Sequence, residues 1–211
     1  MSLRSVIREL TGGQTLSDVL PAGFRPIDLK SGVRPALTES FAGVFPVECP
    51  VLVNISGLPA SGKSCYARAF KVEHPEFLYL SFDAVMESLP QYREAYGRDR
   101  VKAFSDWELP ARFIGYRVLE KAVRARVPIL FEHSNANRLH PALYRAITEE
   151  GYAVDIRCID ADAALVLPRL SRRARFFAPQ KVFERQNLLK DLLPDLKDAA
   201  TRFTFLKAWK E

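Results

Sequence analysis

The chain has 211 residues, 48% hydrophobic and 27% charged, the composition of a folded protein with room for one substantial α/β domain. No apolar run approaches the ~20 residues of a membrane helix, the first residues lack the apolar centre of a secretory signal, and Cys49, Cys65 and Cys158 have no metal-ligand spacing, so reduced thiols in a cytoplasmic protein are expected. The net charge of +6 fits an anionic substrate such as a nucleotide, a phosphosugar or RNA, and fits equally a solvated, arginine-rich surface.

Along the chain, Leu3–Leu10 has helical spacing and meets Gly12-Gly13, a stop signal. Residues 15–20 read as a second short helix before Pro21. Pro26, Pro35, Pro46 and Pro50 then punctuate an irregular stretch, and its Phe24, Phe41 and Phe45 predict packing on the main domain. The expected organisation is an N-terminal extension, residues 1–49, on a domain of residues 50–211.

The densest signal follows. Residues 51–55, V-L-V-N-I, read as a buried strand. Residues 57–64, G-L-P-A-S-G-K-S, fit the phosphate-binding pattern G-x-x-x-x-G-K-[ST], and 65–70 have helix-forming character. Gly57 and Gly62 let the backbone curl around an anion without a Cβ in the way. The N–H groups of the loop Leu58-Pro59-Ala60-Ser61, of which proline has none, and the helix start then face phosphate. Lys63 can reach the β- and γ-phosphates of a nucleotide, and the Ser64 hydroxyl can ligate Mg²⁺. The plainer alternative is a glycine-containing turn with an exposed lysine.

Residues 77–82 read as the second strand, with Asp83 directly after it. In an open α/β sheet the ligand lies beyond the carboxyl ends of the strands, so an acid there faces substrate. It is a candidate base and a second candidate for the metal. It equally suits the N-cap of the helix that A-V-M-E-S-L predicts. Residues 91–126 are charged and helical, with Trp107, Phe113, Tyr116, Val118, Leu119 and Val123 at inward spacing. Pro110 is expected to start or break a helix. Tyr92, Arg93, Tyr96 and Arg98 lie near the presumed cleft or on a solvated helical face.

Residues 127–131 predict the third strand, closed by Glu132. Such an acid positions Mg²⁺ through water or holds a substrate hydroxyl. In the polar loop after it, Ser134 and Asn135 are candidate substrate contacts and His133 a structural hydrogen-bonder. A helix over 141–150 stops at Gly151, a strand follows over 152–159, and a helix over 162–174 carries Arg169, Arg172, Arg173 and Arg175. The first three of these arginines share a helical face, and like charge so concentrated suggests a lid closing over phosphates. Residues 182–193 predict another helix and 202–206 a last strand. This alternation predicts a P-loop NTPase: a mostly parallel sheet of about five strands with helices on both faces and a kinase-type lid.

Taken in order, these pieces resemble the zeta-toxin family of P-loop kinases over residues 50–206: G-L-P-A-S-G-K-S, Asp83, L-F-E-H-S at 130–134, E-E-G-Y-A-V at 149–154, and the arginine-rich 169–188. The resemblance implies ATP-dependent phosphorylation of a sugar hydroxyl on UDP-N-acetylglucosamine, with an antitoxin or inhibitor as partner. It implies that Lys63 holds phosphates, Asp83 is the general base, Glu132 holds substrate, and Arg173 or a neighbour, with Arg185, are lid arginines. Two features depart from the family: Phe176-Phe177-Ala178 stands where a glycine-rich lid turn is common, and Glu87 and Ser88 stand where an arginine often follows the catalytic Asp. The segment F-D-A-V-M-E-S-L-P at 82–90 is similar to chloramphenicol phosphotransferases, and polynucleotide 5′-kinases are a weaker similarity. A non-catalytic ATP-binding module is the reading from another class.

Overall fold

The structure, a computed structural model, describes residues 1–29, 41–170, 172 and 179–208. Five strands form one all-parallel sheet: β1 (Val51–Ser56), β2 (Leu78–Ser81), β3 (Ile129–Glu132), β4 (Ala153–Asp160) and β5 (Arg202–Lys207), in the order β2-β3-β1-β4-β5. Their side chains alternate between two cores, as the period of a strand requires. Leu52, Ile129, Phe131, Val154 and Ile156 point to one face. Val53, Ile55 and Leu130 point to the other, where they meet Ala67 and Phe70 of α3 (Lys63–Glu73).

The first face is covered by α6 (Arg100–Arg124) and α7 (His140–Glu149), so helices lie on both sides of the sheet. Strand β2 does not lie beside β1. Strand β3 takes that place, pairing Val53 with Leu130 and Ile55 with Glu132. All four of its residues are buried, which suits an interior strand, while β2, at the sheet edge, has one half-buried residue, Tyr79.

The N-terminal α1 (Leu3–Leu10) and α2 (Leu16–Val19), with a 3₁₀ turn over Pro26–Leu29, pack on this body. Leu3, Val6, Ile7 and Leu29 join the same core as α6 and α7. The Phe24 ring meets Trp107 edge-on at 5.2 Å, and Lys121 lies over the Phe41 ring. Phe45 was expected to pack as well; instead it is 73% exposed.

Residues 91–126, expected to be helical, are covered by two helices. Asp99 ends α5 (Pro90–Arg98) and caps α6, its carboxylate accepting from the N–H groups of Val101 and Lys102 at 3.0 Å. Pro110 neither starts nor breaks α6; it sits inside the helix, buried with Ala111, Phe113 and Ile114. Proline removes one backbone bond there, and tertiary burial on this face offsets that loss. Among the described residues no helix is long and apolar enough to cross a membrane.

Candidate active site

Strand β1 runs straight into the phosphate-binding pattern, and the backbone there has the required form. Gly57 has φ 138° and Gly62, the residue before α3, has φ 101°, both in the region that favours glycine. A Cβ on Gly57 would lie 3.1 Å from Ser61 Oγ and 3.2 Å from Ile159 Cβ, so a side chain there would also be crowded. Ala60 follows in the left-handed region at φ 60°. Lys63 Nζ reaches back across the loop and donates to the carbonyls of Gly57 (3.1 Å) and Leu58 (2.7 Å). Its ammonium is thereby held over the concave side of the loop.

A cleft opens at the carboxyl ends of β1, β2 and β3. Pro59, Ala60, Lys63 and Ser64 form its loop side, and Glu132, His133 and Ser134 its floor. The opposite wall comes from Asp83 and Met86 of α4 (Phe82–Ser88) and from Phe104, Glu108, Ala111 and Arg112 of α6. Leu170, from α8 (Ala163–Leu170), and Arg185, from α9 (Pro179–Asp198), close it from the side. Asp83 is not the helix cap. That position is Ser81, and Asp83 lies in the first turn of α4 with its side chain exposed to the cleft.

Glu132 is 7% exposed, and each of its oxygens accepts from a hydroxyl. Ser64 Oγ donates to Oε1 at 2.7 Å and Tyr79 Oη donates to Oε2 at 2.6 Å. Burial, together with the Glu132 charge, pushes the Tyr79 phenol above its ordinary range, so it remains a donor. Asn135 is not a cleft residue. It is fully buried at φ 60°, its Nδ2 donating to Asn54 Oδ1 and its Oδ1 accepting from Tyr144 Oη. Asn54 in turn donates to the Phe131 carbonyl, so this network fixes the start of the Glu132–Ser134 floor from behind.

His133 behaves as the sequence predicts. Its Nδ1 accepts from the Asn135 N–H at 3.0 Å, and its ring stacks on Phe131. Burial, with the neighbouring His140, Arg112, Arg185 and Lys63 adding, holds its pKa well below that of an ordinary histidine, so it is neutral. Burial likewise lowers Arg185, helped by Arg112, while Glu108 and Asp83 oppose the shift. The close approach of α4 to α6 depends on Gly115. A Cβ there would lie 2.3 Å from Cδ1 of Phe82, the residue before Asp83.

The lid expected on one helical face lies partly outside the described residues. The helix predicted over 162–174 ends at Leu170, and Arg172 stands in a turn, exposed. Arg173, Arg175 and residues 176–178 lie outside the described residues. Of the described arginines from this region, Arg185 lines the cleft, and Arg169 and Arg172 do not. Tyr92 is buried in the core, Arg93 donates to the Ser88 carbonyl at the end of α4, and Arg98 pairs with Glu94 along α5; none of them reaches the cleft. Sequence reasoning missed Tyr79, Glu108 and Arg112. Glu108 and Arg112 pair at 2.5 Å four residues apart, the pattern of any surface helix, so spacing alone does not mark them.

The fold has well-defined relatives. The PezAT chromosomal toxin–antitoxin system of Streptococcus pneumoniae includes a structure that superposes with a TM-score of 0.71 at 13% identity, over 89% of this chain and 80% of that one. A kinase candidate from Chloroflexus aurantiacus matches at 0.52 and 14% identity, over 76% and 89%. The AvrRxo1-ORF1:ORF2 complex with ATP matches at 0.50 and 14% identity, over 97% of this chain and 63% of that one. No curated protein matches in sequence. The profile of the family described as Zeta toxin matches residues 37–182, well over half of the chain and the span that carries the loop, Asp83 and Glu132, and the chain belongs to that family.

Proposed function

We propose that this protein is an ATP-dependent kinase that transfers the γ-phosphoryl group to a hydroxyl of a sugar nucleotide, with UDP-N-acetylglucosamine as the acceptor to try first. The observation that carries the reading is that one cleft gathers Lys63, Ser64, Asp83, Glu132 and Arg185. Membership of the zeta-toxin family supports it, as does the ATP-bound form of the AvrRxo1 complex. In this reading the loop N–H groups and Lys63 bind the β- and γ-phosphates. Asp83 takes the acceptor proton as the oxygen attacks phosphorus. Arg185 faces the charge that spreads over the transferring group.

The Ser64–Glu132 pair fits a magnesium ion. A serine that gives its proton to a carboxylate keeps its lone pairs for a metal, and magnesium is usually held by few protein oxygens plus substrate phosphates. Bound there, held by Ser64 with Glu132 behind it, the ion would neutralise charge developing on the phosphates. We therefore assign Glu132 to the metal side of the cleft and leave the acceptor to Ser134 and the α6 wall. Arg169, Arg172 and Arg173 are assigned to a lid that completes the site when nucleotide is bound. The toxin–antitoxin system among the structural relatives supports an antitoxin as partner, and a cytoplasmic setting suits that role.

A mass-spectrometric screen tests this, with ATP incubated against UDP-N-acetylglucosamine, chloramphenicol-type antibiotics and RNA 5′-ends. Gain of one phosphate on the sugar nucleotide supports the reading. Transfer only to an antibiotic or to RNA moves the acceptor class. No transfer to any acceptor despite ATP binding favours a regulatory module.

A further inference from the structure

We infer that Tyr79 is a positioning residue for the metal: its hydroxyl fixes the Glu132 carboxylate, which aims the Ser64 hydroxyl at the metal-nucleotide complex. The inference rests on the magnesium reading above. Tyr79 lies on β2, outside the phosphate-binding loop, and it is not part of the cleft lining.

The sheet register explains how it reaches. Ser81 pairs with Glu132 and Tyr79 with Leu130, so Tyr79 and Glu132 are diagonal neighbours on one face. Diagonal positions are ~7–8 Å apart, within reach of an aromatic side chain and beyond a short one. The ring packs against the α3-facing core of Val53, Ile55, Phe70 and Leu130, which leaves the hydroxyl aimed at Oε2 at 2.6 Å. Ser64 Oγ occupies Oε1 at 2.7 Å. A carboxylate held at one oxygen only could rotate about its last torsion and take the Ser64 proton with it. Held at both, it offers the serine one acceptor position, and the serine lone pairs face the phosphates.

Outer partners of metal ligands typically change metal affinity by ~10–100-fold when removed. Tyr79→Phe keeps the ring and removes the donor. The test is Mn²⁺ binding to the full-length protein with ADP, titrated by electron paramagnetic resonance, with ADP affinity measured in parallel in EDTA. The expected result is about tenfold weaker Mn²⁺ binding, unchanged ADP affinity in EDTA and a preserved melting transition. Wild-type Mn²⁺ affinity in the variant would overturn the inference. Equal weakening with and without metal would overturn it too, because that marks a packing role. A second measurement separates these from misfolding. If Tyr79 acts through Glu132, Tyr79→Phe adds nothing to Glu132→Gln in the double variant, whereas additive losses contradict the relay. Absence of any metal-dependent ADP binding in the wild type would instead defeat the magnesium reading itself, and this inference with it.

Discussion

The same substitution at two helical glycines is expected to act with opposite sign. Gly115 lies buried in α6, where a Cβ would meet Phe82 Cδ1 at 2.3 Å and Cε1 at 2.5 Å. Ordinary contact begins near ~3.5 Å, so the ring must move by roughly 1 Å. It has little room, because it packs on Tyr116, Phe131 and His133 with ring centroids at 4.8, 5.6 and 5.0 Å. Overpacking of this kind costs about 1–3 kcal/mol, and at ~2–4 °C per kcal/mol for a chain of this size Gly115→Ala should lower the melting temperature by roughly 2–12 °C. Gly97, exposed in α5, meets nothing within 4 Å. There, alanine gains up to ~1 kcal/mol of helix propensity, less at the last turn, and the melting temperature should rise slightly. Phe82 precedes Asp83, so Gly115→Ala should also depress turnover while Gly97→Ala leaves it unchanged. Calorimetric melts of both variants decide the matter. Shifts of equal sign and size would show that the packing of Phe82 against α6 is not as tight as described.

Two further outcomes follow from the electrostatics and the cleft. Burial, with the Arg112 charge adding, lowers His140 from 6.5 to about 4, and His133 is lowered in the same direction. Between these limits the unfolded chain binds protons that the folded chain does not, so stability is full above pH ~6.5 and falls towards pH 4, by up to ~2.7 kcal/mol per unit for two protons. Urea midpoints across that range should fall, with a shallower slope in His140→Gln; an equal slope would remove His140 from the account. Arg185→Ala should lower kcat by ~10³-fold or more with little change in KM, and Arg169→Ala and Arg172→Ala should lose less. Equal losses at all three would mean that the cleft as described lacks arginines that act in the reaction.

Much of this site was legible in the chain because its chemistry is local. Gly57, Gly62, Lys63 and Ser64 are contiguous with the strand and helix they need, and Asp83 and Glu132 each follow an apolar run. What stayed hidden depends on contacts between distant elements. Tyr79 matters only because β2 pairs with β3, which places it diagonal to Glu132. Nothing in the spacing of α6 says which of its charged sides meets the cleft until the helix is laid against α4. Asn135 misleads for the opposite reason. A polar loop beside a strand end reads as exposed and functional, yet this residue satisfies the buried Asn54 and Tyr144. The arginine cluster is only partly placed: Arg169 and Arg172 lie away from the cleft lining, and Arg173 and Arg175 lie outside the described residues.

The most direct test of the account is phosphoryl transfer by Asp83→Asn, followed by ³¹P NMR with ATP and UDP-N-acetylglucosamine, with ATP affinity measured beside it. Asparagine keeps the shape of the side chain in the first turn of α4 and cannot take the acceptor proton at neutral pH. A positioned base contributes ~10²–10⁴-fold. The account predicts that the wild type produces a new phosphomonoester resonance and ADP, and that the variant loses at least a hundredfold in rate while binding ATP as before. A variant within about tenfold of wild type, or a wild type that yields only inorganic phosphate, would contradict it.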